Sequence, residues 1–129
     1  MAAVDTNVVV RYLTGDDAAQ ARAARRLVDG GDIALSCTVL LETEWVLRSL
    51  YGYDHQHVHA ALTAFAGLAN VELDDPARAA QAFDWFGKGM DFADALHLAA
   101  CSEGETFATF DRKLATAARK VGAGKVRVL

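Results

Sequence analysis

Hydrophobic and polar positions follow two different periods along the chain. Short apolar runs rich in valine predict β-strands, and longer stretches with apolar positions three or four residues apart predict amphipathic helices. The predicted strands are residues 2–5, 33–36, 71–73, 106–110 and 126–129. The predicted helices are residues 8–13, 16–28, 38–51, 54–68, 76–87, 91–102 and 112–121. This alternation of strands and helices is typical of an α/β fold with a parallel sheet.

Capping and turn residues mark several of these boundaries. Asp16 stands where its side chain can cap the second helix, and Gly30 and Gly31 follow that helix. Pro76 lies near the first turn of a later helix, where proline is accepted. Because no repeat or linker interrupts the pattern, we expect a single domain over residues 1–129.

Composition supports one compact domain with its own core. Of the 129 residues, 53% are hydrophobic and 23% are charged, with one proline and ten glycines, which excludes collagen-like, low-complexity and disordered chains. Cys37 and Cys101 are too few for a disulfide framework and lack the spacing of a zinc site. Asp5 interrupts the first apolar run, and no charge-free stretch reaches the ~18 residues of a membrane span. We therefore expect a soluble, cytoplasmic protein without a membrane partner.

Charge is distributed unevenly along the chain. The net charge is −4, yet residues 111–129 hold six of the 13 basic side chains and one of the 17 acidic ones. An acidic body repels nucleic acid unless cations neutralise it, whereas the basic segment is either a solvated face or a footprint for RNA phosphates. The six basic residues are Arg112, Lys113, Arg119, Lys120, Lys125 and Arg127. The aromatic residues Trp45, Phe83, Trp85 and Phe86 fit core or interface positions better than base-stacking platforms.

Two acids on the helix 38–51 have different expected surroundings. Glu44 and Arg48 stand four residues apart in the favourable order, which predicts an ion pair on a solvated face. Glu42 falls between Trp45 and Val46 on the helical wheel, on an apolar flank where an unpaired carboxylate is unfavourable. Glu42 is therefore a candidate site residue that needs a partner.

The segment 91–102 carries two acids, Asp91 and Asp94, on one side of an otherwise apolar helix. No lysine or arginine within the segment can neutralise them, so the two carboxylates repel each other unless a cation lies between them. Oxygen ligands from carboxylates are what Mg²⁺ accepts. This pattern indicates a divalent cation site.

Asp5 and Asp111 each follow a predicted strand and precede a predicted helix. In open α/β folds ligands bind at this carboxyl edge of the sheet, although either residue is also a good helix cap. Together with the acids above they predict a shared cation-binding cleft. The chemistry that needs such a cluster is phosphodiester cleavage by a water that the cation activates. No Gly-x-Ser-x-Gly nucleophile motif is present.

Other motifs give weaker predictions. Only two of the three neighbouring histidines, His55 and His59, share a helix face, which is too few ligands for zinc, and His57 lies apart. His97 stands one turn after Asp94 and is assigned no role. The glycines before Lys125 do not have Walker spacing.

Four short motifs, in this order, resemble those of the PIN-domain ribonucleases, particularly the VapC toxins of toxin-antitoxin pairs. They are VDTN at residues 4–7, LETEWVL at 41–47, DFADAL at 91–96 and TFD at 109–111. The resemblance covers essentially the whole chain. It implies a three-layer α/β/α fold with a central parallel sheet and an endoribonuclease that depends on Mg²⁺ or Mn²⁺. It does not indicate which RNA is cleaved.

The resemblance also assigns roles by position. The family's acidic quartet corresponds to Asp5, Glu42, Asp94 and Asp111, and Asp91 matches an extra acid found in some members. Asn7 and Thr109 match polar residues that hold those acids in place. The implied partners are an RNA substrate, a cognate VapB-like antitoxin that inserts a segment into the active-site groove, and a second copy in a homodimer. The apolar faces around Trp45, Tyr51 and Phe65 are the expected dimer surface.

Three alternatives remain open at this point. A receiver-like signalling module also has an acidic Mg²⁺ pocket, but it needs two adjacent acids where Asp5 is followed by Thr6. A dehalogenase-like phosphatase needs a second acid where this chain has Asn7. The third is a non-catalytic domain whose acids dock a basic peptide.

Overall fold

The computed structural model describes residues 1–129 and has a mixed α/β architecture in which every strand pairing is parallel. The strands are β1 (Ala2–Ala3), β2 (Ile33–Leu35), β3 (Val71–Leu73), β4 (Thr106–Thr109) and β5 (Lys125–Val128). The helices are α1 (Thr6–Thr14), α2 (Ala18–Asp29), α3 (Cys37–Ser49), α4 (His55–Ala66), α5 (Pro76–Gly87), α6 (Phe92–Ala99) and α7 (Arg112–Val121). The predicted α/β fold with parallel strands is confirmed. None of these helices combines the length and the apolar character needed to cross a membrane.

The chain divides into two compact units, Met1–Pro76 and Ala77–Leu129. The first unit contains a three-stranded sheet in the order β1, β2, β3, with Ile33 of β2 opposite Ala2 on one side and Val71 on the other. The second unit contains the two-stranded sheet of β4 and β5. Each unit therefore has its own hydrogen-bonded sheet.

Polar side chains follow each strand of the first sheet and accept hydrogen bonds from the first turn of a helix. Asp5, after β1, accepts a hydrogen bond from the Val8 N–H at 3.2 Å. Ser36, after β2, caps α3 through the Val39 N–H, and Asp74, after β3, accepts from the Cys37 N–H at 3.0 Å. The carboxyl edge of this sheet is therefore lined by capping groups, as expected for parallel strands followed by helices.

The core of the first unit corrects the predicted dimer surface. Phe65 is only 1% exposed and packs edge to face on Tyr12, with ring centroids 5.3 Å apart. Phe65 is therefore part of the hydrophobic core, where burial of its large apolar ring stabilises the fold, and it is not available at a dimer surface. Trp45 is 50% exposed. Tyr51 is half-buried and accepts a hydrogen bond from Arg11 at 2.8 Å.

The N-cap of α2 also differs from the prediction by one residue. Asp17, with φ of 62°, accepts a hydrogen bond from the Gln20 N–H at 3.1 Å. Asp16 instead accepts from the Tyr51 hydroxyl at 3.0 Å. Because α2 begins at Ala18, the residue directly before it is the one that caps the free N–H groups of the first turn.

The predicted ion pair between Glu44 and Arg48 is confirmed, but the burial of the two α3 acids is opposite to that predicted. Glu44 is buried, and its carboxylate is paired with Arg48 at 2.8 Å, whereas Glu42 is exposed. The buried face of α3 includes Leu40, Thr43 and Leu47, and Glu44 lies next to that face. Arg48 neutralises the buried charge while about half of its own side chain stays in solvent, which is how long basic side chains satisfy a buried acid.

The second unit is built on an aromatic cluster beneath α6. Phe92 is fully buried, and its ring lies 5.6 Å from that of Phe83 and 5.0 Å from that of Phe86, both on α5. Arg78 of α5 donates from Nε to the Leu96 carbonyl at 3.0 Å. These contacts fix the position of α6, whose first turn carries the acids considered below.

Candidate active site

Asp91 is the N-cap of α6 and not part of the helix, which corrects the predicted boundary of 91–102. Its Oδ2 accepts a hydrogen bond from the Asp94 N–H at 3.1 Å. The buried side of the helix consists of Phe92, Ala95, Leu96 and Leu98, so the apolar character of the segment is explained by packing. The Asp91 side chain is exposed, and the hydrogen bond holds it against the first turn that contains Asp94.

Asp111 caps α7 in the same way. Its Oδ1 accepts from the Lys113 N–H at 2.9 Å and from the Leu114 N–H at 3.2 Å. The Asp111 N–H in turn donates to the Thr109 hydroxyl at 3.0 Å. Thr109 thus fixes the backbone from which the Asp111 carboxylate extends, while its role in supporting a metal site stays a prediction.

The charge of Asp94 interacts with those of Asp91 and Asp111. Burial raises the pKa of the half-buried Asp94 carboxyl, the nearby carboxylates of Asp91 and Asp111 raise it further, and His97 lowers it in part. None of the three acids takes part in a salt bridge. The second unit therefore places three acids close enough for their charges to interact, with no lysine or arginine to neutralise them.

The donor chemistry of this group fits a hard divalent cation, because such cations prefer carboxylate oxygens and relieve repulsion between them. No three histidine, cysteine, aspartate or glutamate side chains stand together at metal-binding distance. Mg²⁺ commonly takes only one or two carboxylates from the protein and completes its shell with water and substrate phosphate. The cage of five carboxylates stays a prediction, and Asp94 and Asp111 are the first candidates for ligands.

The first unit holds the remaining predicted site residues. Asp5 and Glu42 are both exposed, and Glu42 has no salt bridge. Asn7 is exposed in the first turn of α1 and makes no hydrogen bond to an acid, while its neighbour Thr6 is buried. The supporting role of Asn7 stays a prediction.

The His57 ring and backbone make local contacts at the start of α4. The His57 ring stacks face to face on Tyr53, with centroids 4.0 Å apart and an interplanar angle of 4°. His57 also donates its backbone N–H to Asp54, the cap of α4, at 2.7 Å. These contacts explain His57 by local packing.

Two features of the second unit were not predicted from the sequence. Phe110, between Thr109 and Asp111, is 80% exposed. A cleft beside α7 is lined by the cations Lys88, Arg112, Lys113 and Lys120. The sequence alone shows the basic residues of α7, but Lys88 follows the end of α5 and only the fold brings it to this cleft.

Parallel strands followed by capping carboxylates place the protein in the α/β class, and its group of three acids has no lysine or arginine in a salt bridge with it and is suited to a divalent cation. Comparison with family models identifies the family. The PIN domain model matches residues 2–120, so the chain belongs to the PIN-domain family. Membership implies a metal-dependent nuclease and favours that activity over a receiver-like module. No individual curated protein matches the chain.

The raised pKa of Asp94 predicts a gain in stability when its charge is removed. The folded protein holds the Asp94 proton more tightly than the unfolded chain does, so ionisation of Asp94 lowers the free energy of unfolding as the pH rises through its raised pKa. Asp94→Asn is therefore expected to melt above the parent at pH 7 without metal. The gain is at most about 1 kcal/mol, because water screens the half-exposed carboxylate.

The measurement is a series of thermal melts in chelator between pH 4 and pH 8. The difference between Asp94→Asn and the parent should shrink as the pH falls toward 3.8, the ordinary pKa of the carboxyl. Asp84→Asn is the matched control, because Asp84 is paired with Lys88 at 3.1 Å and its removal should give no gain. A parent that is more stable than Asp94→Asn at pH 7 would contradict the prediction.

Proposed function

We propose that this PIN-domain protein is a Mg²⁺- or Mn²⁺-dependent endoribonuclease and the toxin of a toxin-antitoxin pair. The observation that carries the nuclease proposal is the interacting group of Asp91, Asp94 and Asp111, in which burial and like charge raise the pKa of Asp94, with only His97 acting in the other direction. The family match over residues 2–120 supports the same activity.

In this proposal Asp94 and Asp111 hold a divalent cation together with Asp5 and Glu42. A bound cation would neutralise charge on the phosphate and make a coordinated water more acidic, which supplies the nucleophile. Asp91 holds the first turn of α6 through the Asp94 N–H, and Thr109 holds the Asp111 backbone. These two contacts fix the backbone from which the Asp94 and Asp111 side chains extend.

The RNA substrate is supported by the charge distribution, since residues 111–129 combine six basic side chains with one acid, Asp111 itself. The homodimer is supported by two exposed apolar side chains. Trp45, in the last turns of α3, is 50% exposed, and Leu50, directly after the helix, is 68% exposed. An antitoxin that covers the acidic group is expected to bring a positive side chain, because no lysine or arginine forms a salt bridge with the group.

Cleavage of a mixed pool of RNA tests the nuclease proposal. We expect cleavage with Mg²⁺ or Mn²⁺, none with chelator, and internal cuts in a circular RNA, which only an endonuclease produces. Single-stranded DNA of the same sequence should be cleaved more slowly. Activity that survives chelator would contradict the proposal, as would transfer of phosphate from a small donor onto an aspartate.

Growth of cells that express the chain tests the toxin proposal separately. We expect growth arrest that is relieved when a cognate antitoxin, expected as a small protein encoded next to the chain, is also expressed. An Asp94→Asn chain should not arrest growth. Arrest by both chains would show that the effect does not come from the nuclease.

A further inference from the structure

A basic cleft of about 530 Å³ lies beside α7 in the second unit. Four cations line it, Lys88, Arg112, Lys113 and Lys120, and its lining includes no carboxylate. Met90 and Ala117 contribute apolar surface between these charges. All charged side chains of this concave surface are positive, although the net charge of the chain is −4, and such a surface attracts polyanions.

The sequence of α7 explains how the charges come together. Leu114, Ala115 and Ala118 are buried, which leaves residues 112–113, 116–117 and 120–121 on the face that lines the cleft. Lys88 is partly neutralised by Asp84 at 3.1 Å, whereas Arg112, Lys113 and Lys120 take part in no salt bridge. Three cations therefore remain available along one face of a single helix.

The spacing of these cations fits a strand of nucleic acid. From Arg112 to Lys120 the helix rises about 12 Å, at 1.5 Å per residue, which is the length of about three or four nucleotides at 3.4 Å each. The row begins directly after Asp111, the cap of α7. A strand bound along α7 therefore ends at the acidic group.

Phe110 lies at that end and has no role in the core. It is 80% exposed, whereas Phe92 of the same unit is fully buried. Phe110 stands between Thr109 and Asp111, whose hydrogen bond fixes the backbone on both sides of it. An exposed aromatic ring on a fixed backbone is the arrangement that stacks on an unpaired base.

We propose that Phe110 and the α7 cleft together bind single-stranded RNA. The Phe110 ring stacks on one base beside the acidic group, and Arg112, Lys113 and Lys120 contact the phosphates of the following nucleotides. This inference rests on the proposed nuclease function and names the surface that holds its substrate. Single strands are favoured over duplex because a paired base is not free to stack on Phe110.

Fluorescence anisotropy in chelator tests binding without cleavage. The probe is a labelled single-stranded RNA of twelve nucleotides, titrated at several salt concentrations. Lys113→Gln with Lys120→Gln is compared with Arg119→Gln with Lys125→Gln, which removes the same charge outside the cleft. Phe110→Ala is compared with Phe110→Trp, which keeps an aromatic ring.

The cleft variant should bind more weakly, and its slope of log affinity against log salt should be shallower by about 1.4, at 0.7 for each phosphate contact on a single strand. The control pair should keep the parent slope. Phe110→Ala should lose about tenfold in affinity with an unchanged slope, and Phe110→Trp should retain the parent affinity, as expected for stacking.

Equal losses in the cleft and control pairs would overturn the inference, as would parent affinity in Phe110→Ala or equal affinity for a duplex of the same sequence. Displacement of the RNA by poly-glutamate at equal charge concentration would also overturn it and indicate an acidic protein partner.

Cleavage is measured separately with Mn²⁺. If the parent cleaves RNA but the cleft variants bind normally, only this inference fails. If the cleft binds as expected and no metal gives cleavage, the proposed function fails and the binding surface stands.

Discussion

Asp94→Asn is expected to reduce metal-dependent RNA cleavage by about a hundredfold or more. Burial and two neighbouring acids raise the pKa of Asp94, so a bound cation would relieve the unfavourable interactions of its charge. Asparagine keeps the size and one oxygen but removes the negative charge. Loss of one electrostatic element in an active site typically lowers the rate by about this factor. Rates at saturating Mn²⁺ and at low Mn²⁺ measure the effect.

Asp84→Asn serves as the control for this experiment, since it removes an exposed acid of the same unit that is paired with Lys88. Its cleavage rate should equal that of the parent. Asp5→Asn should show a loss similar to that of Asp94→Asn, because the proposal assigns both to one cation. If Asp94→Asn folds and cleaves at the parent rate, the acidic group is not the active site.

Phe92→Ala is expected to lower the free energy of unfolding by about 3–5 kcal/mol, the usual effect of truncating a buried phenylalanine. Phe92 is fully buried, and its ring contacts those of Phe83 and Phe86. Alanine would leave a cavity beneath the first turn of α6, directly after Asp91. The site would therefore lose its support together with the core. Urea unfolding followed by circular dichroism measures the change.

Phe110→Ala is the matched control, because it removes the same side chain at a position that is 80% exposed. Its free energy of unfolding should change by less than about 0.5 kcal/mol. The two variants thus separate a phenylalanine that holds the fold from one that is proposed to hold RNA. Similar destabilisation by both substitutions would contradict the description of Phe110 as a surface ring.

The elements that were predicted well have strong local signals at both ends. Helix α7 matches the predicted Arg112–Val121 because Asp111 caps it and Gly122, with φ of 69°, ends it in the left-handed conformation. Helix α5 begins at Pro76 as predicted, since proline is favoured in a first turn. In both helices the sequence near the ends decides the boundary, and tertiary contacts do not shift it.

The surroundings of the α3 acids show what local pattern does not determine. The apolar residues Trp45 and Val46 suggested a buried flank for Glu42, but Trp45 is 50% exposed and Glu44 is the buried acid. Which side of a helix faces the core depends on the elements that pack against it, and a buried carboxylate is tolerated when an arginine such as Arg48 reaches it. A helical wheel of α3 alone shows neither which side of the helix faces the core nor which of its two acids is buried.

Some features of the candidate site could likewise be predicted from the sequence, and others required the fold. The acids after strands and on the segment 91–102 could be found from the sequence, because charge on an apolar helix and at strand ends is a local signal. The interaction among Asp91, Asp94 and Asp111 required the fold, as did the cleft that adds Lys88 to the cations of α7. The exposure of Phe110 was missed because an aromatic residue within a predicted strand is normally buried.

Manganese in crystals of the parent protein tests the central claim most directly. Data collected at the manganese absorption edge should show an anomalous peak at coordination distance from the carboxylates of Asp94 and Asp111, with Asp5 or Glu42 among the other ligands. The same soak of Asp94→Asn should lose that peak. A parent crystal with no peak beside Asp94, or with manganese bound only elsewhere on the surface, would contradict the account.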